Sequence, residues 1–146
     1  MKYIAYGSNM VAEQMAWRCP GARLIGMGYL EGARLEFYLH ATVEKTDRRR
    51  NRVPVAVWEI SETDEQHLDA YEGVRGGYYT KEIWTAHMDD GSEIDGLIYI
   101  MKMIRNYPPS SAYYEAIQNA YLQLGIGSKI ETVLRPALMR SLRRAR

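Results

Sequence analysis

The segment Tyr6-Gly7-Ser8-Asn9 has the residue types of a turn that binds an anion. It follows a short apolar strand and precedes a predicted helix, with Asn9 as a candidate N-cap. Glycine permits backbone conformations that other residues resist, so the N–H groups after it are free to point at a ligand in the favourable field of a helix N-terminus. A carboxylate or a developing oxyanion fits such a turn, with the Ser8 hydroxyl as a further donor. The alternative is an ordinary turn with a helix cap.

Glu72 is the second candidate, because it lies at the predicted end of a helix, between Tyr71 and Gly73. A carboxylate near a helix C-terminus faces the unfavourable end of the helix dipole, which raises its pKa. Burial in a tyrosine-lined pocket raises that pKa further, and this suits a general base that works near neutral pH. The alternative is a solvated surface glutamate, as we expect for Glu65 and Asp69 on the same helix.

The composition is that of one globular domain, residues 1–146, with 47% hydrophobic and 25% charged residues. With 19 Lys and Arg against 18 Asp and Glu, the net charge of +1 argues against a dedicated nucleic-acid-binding protein. The single cysteine, Cys19, excludes an internal disulfide and favours a reducing compartment. No apolar run approaches the roughly 18 residues of a membrane span, so we expect a cytoplasmic protein with no membrane partner.

Several common chemistries lack their sequence patterns. His40, His67 and His87 show no metal-ligand spacing, and there is no CxxC, phosphate-binding loop or dinucleotide fingerprint. The sequence therefore predicts no metal site and no cofactor. Two basic clusters, residues 48–52 and 140–146, leave an RNA-associated role open, although a solvated loop and a solvated helix end explain them as well.

The pattern of apolar residues predicts an α+β fold. Strands are predicted over residues 2–6, 23–30, 33–40, 53–60, 78–87 and 93–102. Helices are predicted after Asn9, from Ser61 to Gly73, from Ser111 to Leu124 and from Ser128 onward. Pro136 either kinks the last helix or begins a new one. Tight hairpins at Gly32 and Gly91 make the sheet largely antiparallel. We therefore expect a small mixed, mostly antiparallel β-barrel with flanking helices.

Three segments, taken together, resemble the γ-glutamylcyclotransferase family. Residues 3–10, YIAYGSNM, are similar to its N-terminal signature, and residues 68–74, LDAYEGV, followed by GYY at 77–79, look like its catalytic-acid segment. Residues 108–113, PPSSAY, resemble the segment that carries a substrate-binding tyrosine before a long helix. The segments occur in family order, and the resemblance extends from Tyr3 to about Leu124.

The resemblance implies an enzyme that releases an amino acid or amine from a small-molecule γ-glutamyl substrate and leaves 5-oxoproline, without a cofactor. Glu72 is implied as the general acid/base, and Tyr79 and Tyr113 as pocket walls that offer hydroxyl donors. The implied substrate-binding residues are Tyr3, Ile4, Ala5, Tyr6, Gly7, Ser8, Tyr79 and Tyr113. We expect residues 42–51 to contact the leaving group, and either a monomer or a homodimer. A non-catalytic binding module, or a relative that acts on a γ-glutamyl-protected intermediate, is the alternative.

Overall fold

The computed structural model describes residues 1–145, in which seven strands and four α-helices form an α+β arrangement. The strands are β1 (Lys2–Ala5), β2 (Arg23–Glu31), β3 (Ala33–Tyr38), β4 (His40–Lys45), β5 (Arg52–Glu59), β6 (Tyr79–Met88) and β7 (Glu93–Met101). The α-helices are α1 (Ala12–Arg18), α2 (Glu62–Tyr71), α3 (Ser111–Gln123) and α4 (Arg135–Arg144). A single-turn 3-10 helix spans Ser8–Met10, and a π-helical turn, Ile130–Leu134, leads into α4. Within residues 1–145, no helix has the length and apolar character that crossing a membrane requires.

Five of the strands close into a barrel in the order β1-β5-β2-β6-β7. Neighbours in this order run antiparallel, and β1 meets β7 in parallel at Tyr3 and Leu97, which closes the barrel. The predicted hairpin between β6 and β7 turns through Gly91, at φ 92°. Fully buried aliphatic side chains such as Ile4 and Val55 belong to the core. The prediction of a small, mostly antiparallel barrel with flanking helices is confirmed.

β3 and β4 form a separate two-stranded sheet beside the barrel. The predicted hairpin between strands 23–30 and 33–40 is wrong, because β2 pairs with β5 and β6 instead. Gly32, at φ 66°, turns the chain out of the barrel, and its N–H donates to the Asn51 carbonyl at 2.7 Å. The chain then reverses at Leu39, whose φ of 68° has none of the usual glycine or asparagine signals of a tight turn.

Local sequence signals place most of the helix ends. Ser61, where a helix is predicted to begin, forms a capping box with Asp64 at the start of α2, with both bonds at 3.1 Å, and Ser110 caps α3. Pro136 stands in the first turn of α4, directly after the π-helical turn, and the backbone stays helical from Ser128 to Arg144. No side chain caps the π-helical turn that follows Ser128.

α4 is joined to β3 by arginines that surround Glu36, whose side chain is 0% exposed. Arg34 Nε and Arg140 Nε lie 2.9 and 2.6 Å from Glu36 Oε1, and Arg144 Nη1 lies 2.9 Å from Oε2. Arg140 and Arg144 also donate to backbone carbonyls of β3, at 2.8 and 2.9 Å. These two members of the basic cluster 140–146 are therefore bound within the chain rather than held free for an RNA.

Candidate active site

A cavity of about 620 Å³ opens where β1 and β7 end and β6 begins, which the barrel topology brings to the same end. The C-terminal end of α2 and the tip of the β3–β4 hairpin complete its walls. Its lining residues are Tyr3, Ile4, Tyr6, Gly7, Ser8, Asn9, Arg18, Tyr38, His40, Ala41, Tyr71, Glu72, Gly73, Tyr78, Tyr79, Tyr99, Met101, Met103, Arg105 and Tyr113. The two segments that the sequence singles out for chemistry thus meet in one cavity.

The turn after β1 leaves three backbone donors unused. Within residues 1–145, the N–H groups of Gly7, Ser8 and Asn9 donate to no protein acceptor, and all three residues line the cavity. Gly7 has φ −123° and ψ −139°, and an added Cβ would meet only Ile117 Cδ1, at 3.9 Å, so a close neighbour does not require glycine here. The helix that follows is one 3-10 turn, so the turn offers free N–H donors rather than the dipole of a long helix.

Asn9 is not the helix N-cap that the sequence predicts, since α1 begins only at Ala12 with no side-chain cap. It is buried, and its amide bridges two groups of the cavity wall: Nδ2 donates to the Tyr3 hydroxyl at 2.9 Å, and Oδ1 accepts from Arg18 Nη1. Arg18 also stacks on Tyr71, with its guanidinium carbon 3.4 Å from the ring centroid. The cavity therefore contains a fixed positive charge, which sequence reasoning missed because no motif marks an arginine at the end of α1.

The end of α2 fixes the position of Glu72. The Gly73 N–H donates to the Ala70 carbonyl at 3.2 Å, and the Val74 N–H donates to the Asp69 carbonyl at 3.0 Å, which is the Schellman pattern. Gly73 adopts φ 65°, a left-handed conformation, and a Cβ there would lie 2.9 Å from the Tyr78 ring. Both observations require glycine at this position. The helix therefore ends with Glu72 as its C-cap residue, and the Glu72 side chain faces the cavity.

The Glu72 carboxyl group is half-buried, and it forms no hydrogen bond or ion pair with another side chain of residues 1–145. Burial raises the pKa of Glu72 to about 7, while the positive charge of Arg18 acts in the opposite direction. Its helix neighbours differ: Glu65 and Asp69 both pair with Lys81, at 2.9 and 3.0 Å. Glu72 is thus the carboxylate of α2 that is available to a ligand in the cavity.

Four of the cavity tyrosines donate their hydroxyl protons to protein acceptors, and two of these, Tyr6 and Tyr79, are predicted binding residues. The Tyr6 hydroxyl donates to the Tyr99 carbonyl at 2.6 Å, and the Tyr79 hydroxyl donates to the Ala41 carbonyl at 2.7 Å. Their oxygens can therefore only accept from a ligand, so the prediction that Tyr79 offers a donor is wrong. Burial raises the pKa of both hydroxyls, so they stay neutral. An ammonium group would be bound well by this pair.

Two other tyrosines keep their protons free. The Tyr113 hydroxyl accepts from the Ala41 N–H at 3.1 Å, and the Tyr3 hydroxyl accepts from the Asn9 amide. The orientation of that amide is set by its oxygen, which faces Arg18. Each of these hydroxyls can donate to an oxygen of a ligand or to a carboxylate, and burial raises the pKa of both. Tyr113 thus has the donor capacity that the sequence comparison predicts.

The remaining predicted binding residues differ in their placement. Ile4 lines the cavity, whereas Ala5 is 1% exposed, pairs with Ala56 of β5 and does not reach the cavity wall. Ala5 therefore supports the turn that follows it and does not contact a ligand in the cavity. Residues 42–51 are also outside the cavity, so the prediction that they contact the leaving group is wrong.

The outer rim is formed instead by the β3–β4 hairpin tip and by the chain after β7. Tyr38 and His40 contribute from the tip, and Met103 and Arg105 from the later segment. Burial, together with the charge of Arg105, lowers the pKa of His40, so this imidazole is neutral near pH 7. Arg105 stacks over Tyr78, with its guanidinium carbon 5.0 Å from the ring centroid. The rim thus has one strong positive charge. No group of three His, Cys, Asp or Glu side chains able to hold a metal ion occurs within residues 1–145.

Fold and site together define a class: small closed barrels in which a free carboxylate and a turn with unused N–H donors line the same cavity. The sequence profile of the family "Gamma-glutamyl cyclotransferase, AIG2-like" matches residues 3–117. The chain belongs to this family, as its three sequence segments indicate. The matched residues include the turn, Glu72 and Tyr113, whereas α4 lies beyond them.

Individual relatives are similar at modest identity. The chain is 28% identical to gamma-glutamylcyclotransferase of Bos taurus over 125 residues and 28% identical to that of Homo sapiens over 127 residues, in each case covering 79% of this chain. It spans 66% of the length of each of these relatives. A solved gamma-glutamyl cyclotransferase superposes with a TM-score of 0.80 at 25% identity, covering 90% of this chain and 86% of that one. YkqA from Bacillus subtilis, at 17% identity and a TM-score of 0.75, shares the fold over 90% of this chain and 53% of its own.

Proposed function

We propose that this chain releases an amino acid or amine from a γ-glutamyl compound and forms 5-oxoproline, with Glu72 as the general acid/base. The observation that carries the proposal is the free, half-buried Glu72 carboxylate, whose pKa of about 7 suits it to both taking and giving a proton. The family membership supports the same reaction class, a cyclising lyase or acyl transfer.

The substrate supplies its own nucleophile, so no cofactor is needed. Its α-amine attacks its γ-carbonyl carbon, a carbon–nitrogen bond of the five-membered ring forms, and the original amide bond breaks. Ionised Glu72 takes a proton from the α-ammonium and delivers it to the leaving nitrogen; the second proton that the α-nitrogen loses also ends on the leaving amine. Because the attack is intramolecular, much of the rate comes from holding the substrate folded.

The donor and acceptor inventory of the cavity fits that folded substrate. The free N–H groups of residues 7–9 face the glutamyl α-carboxylate or the developing oxyanion. The acceptor oxygens of Tyr6 and Tyr79 suit the α-ammonium, and the donor hydroxyl of Tyr113 suits a carbonyl oxygen. Ser8 in this arrangement is a donor and not a nucleophile. Arg18 is the additional positive charge near the glutamyl end.

The pH dependence of kcat/KM tests the role of Glu72. The base form exists above the pKa, so activity is expected to fall as pH decreases through about 7. An ordinary solvated glutamate would place this fall near a pKa of about 4.3. Since Arg18 lowers the pKa of Glu72, Arg18→Gln is expected to move the fall to higher pH. A kcat/KM that stays constant from about pH 5 to about pH 8, a range that includes the pKa of about 7, would contradict the assignment.

The direct test of the proposed function is 5-oxoproline release from a panel of γ-glutamyl amino acids, γ-glutamyl amines and γ-glutamyl-protected intermediates. Release from any of them supports the cyclotransferase reaction, and the preferred member identifies the leaving group. Binding of the panel without release of 5-oxoproline would instead indicate a binding module.

The charged rim predicts the outcome within this panel. Arg105 forms no ion pair with residues 1–145 and lies at the rim, on the leaving-group side of the proposed substrate. We expect leaving groups with a carboxylate to be preferred, and Arg105→Gln to reduce kcat/KM for them by about tenfold, the value of one charge-assisted hydrogen bond. Neutral amines should be unaffected. Lys102→Gln removes the same charge from an exposed residue outside the cavity and serves as the control; equal losses for acidic and neutral leaving groups would contradict the prediction.

A further inference from the structure

The β3–β4 hairpin forms part of the cavity rim, yet no strand ladder holds it to the barrel. On the barrel side it is attached by side chains: the Thr42 hydroxyl accepts from the Met101 N–H at 3.0 Å, and Ala41 is bonded to Tyr79 and Tyr113. The position of its tip therefore depends on contacts outside the sheet.

At the tip, the Leu39 N–H donates to the Tyr107 carbonyl at 2.6 Å, and α4 adds contacts along β3 up to Tyr38. Arg140 and Arg144 bind the buried Glu36 carboxylate of β3, and each donates to a β3 backbone carbonyl as well. Arg144 also makes a cation–π contact, because its guanidinium carbon lies 4.4 Å from the ring centroid of Tyr38. Tyr38 is the last residue of β3 and lines the cavity.

We propose that Arg144 is a positioning residue for substrate binding, which holds Tyr38 and the hairpin tip in place at the cavity rim. Arg144 does not line the cavity itself, so it acts through Tyr38. Three fixed points on one guanidinium, namely a carboxylate, a carbonyl and an aromatic face, determine the orientation of that side chain and of β3 beneath it. Because α4 lies beyond the residues that match the family profile, this support is assigned from the structure of this chain alone.

The first test does not depend on activity. Arg144→Gln is expected to accelerate amide hydrogen exchange at residues 38–41, because the hairpin tip loses its support from α4. Arg143→Gln is the matched control: it removes the same charge from the next residue of α4, which is exposed and contacts no residue of 1–145 through a hydrogen bond or ion pair. Unchanged exchange at residues 38–41 in folded Arg144→Gln would overturn the proposal.

The second test rests on the proposed function. KM for the preferred γ-glutamyl compound should rise about three- to tenfold in Arg144→Gln, the scale of a lost cation–π contact and its charge-assisted bond. kcat should stay within about twofold, because Glu72 and the N–H groups of residues 7–9 are unchanged. A merely structural role would lower the unfolding midpoint and leave KM at low temperature as it was, and that result would overturn the proposal.

A double variant completes the test. Tyr38→Leu should raise KM as Arg144→Gln does, and the two changes together should raise it no further, because Arg144 acts through the Tyr38 ring. Additive increases in KM would contradict the proposal that Arg144 acts through Tyr38.

The two proposals can fail separately. If the parent protein released no 5-oxoproline, the proposed function would fail, whereas the hydrogen-exchange comparison would still decide whether α4 holds the hairpin tip.

Discussion

Glu72→Gln is expected to lower kcat for 5-oxoproline release by at least about 10²–10⁴-fold, the usual contribution of general acid/base catalysis. Glutamine has nearly the same shape but neither takes nor gives the proton, and the rest of the cavity wall is unchanged. Glu72 forms no hydrogen bond with another side chain of residues 1–145, so no protein partner is left unsatisfied. Binding of a γ-glutamyl compound, measured by calorimetry, should therefore remain within about tenfold of the parent.

The control for this experiment is Glu62→Gln. Glu62 lies in the first turn of the same helix, is exposed and is absent from the cavity wall, so its removal changes the net charge equally. Its kcat should match that of the parent. Release of 5-oxoproline by Glu72→Gln at the parent rate would show that another group transfers the proton.

The unfolding free energy of Glu72→Gln provides a check that the fold is intact. In the parent, the folded state retains the Glu72 proton up to pH of about 7 and the unfolded state releases it near pH 4.5, so stability falls as pH rises between these values. The variant lacks this effect. It should therefore be more stable than the parent above pH 7, by an amount on the order of 1–3 kcal/mol after allowance for partial exposure, and the difference should disappear in acid.

Glu36→Gln is expected to lower the unfolding free energy by about 3 kcal/mol, at the lower end of the range for breaking a buried ion pair. The buried Glu36 carboxylate accepts from three arginines on two elements. An amide retains the shape but loses the charge, and it faces cations that were oriented for a carboxylate. The arginines are 21–49% exposed, which lets water compensate in part. Urea unfolding monitored by circular dichroism measures the loss.

Glu44→Gln is the matched control for this change. Glu44 lies on β4, opposite Arg34 of β3, and is exposed, with one bond from the Tyr38 hydroxyl. Its loss should change the unfolding free energy by less than about 1 kcal/mol. If Glu36→Gln were no more destabilising than Glu44→Gln, the arginine cluster would not be what joins α4 to β3.

The parts of the site that local chemistry specifies were predictable from the sequence. Gly73 can end a helix in a left-handed conformation, so the sequence places Glu72 at the end of α2. The free N–H groups after β1 follow from a strand that runs into Gly7 and Ser8. The barrel class also follows from strand patterns, since hairpin-forming strands must bury one face.

Residues that act through long-range contacts were not predictable. Arg18 reaches the cavity because α1 packs beside the end of α2, and Arg105 because the chain after β7 returns to the rim. No spacing rule encodes either one. The β3–β4 sheet was missed for a related reason: its reversal at Leu39 is supported by a bond from the Leu39 N–H to the Tyr107 carbonyl, 2.6 Å long and far away in sequence.

The parallel pairing of Tyr3 with Leu97 has a consequence for folding kinetics. β1 is antiparallel to β5 and parallel to β7, so the strand that leads into the turn at residues 6–9 is also the strand that closes the barrel. Such contacts between distant parts of the chain form slowly, because the loop entropy must be overcome first. We therefore expect the turn after β1 to take its final place late in refolding, together with barrel closure, rather than as an early local structure.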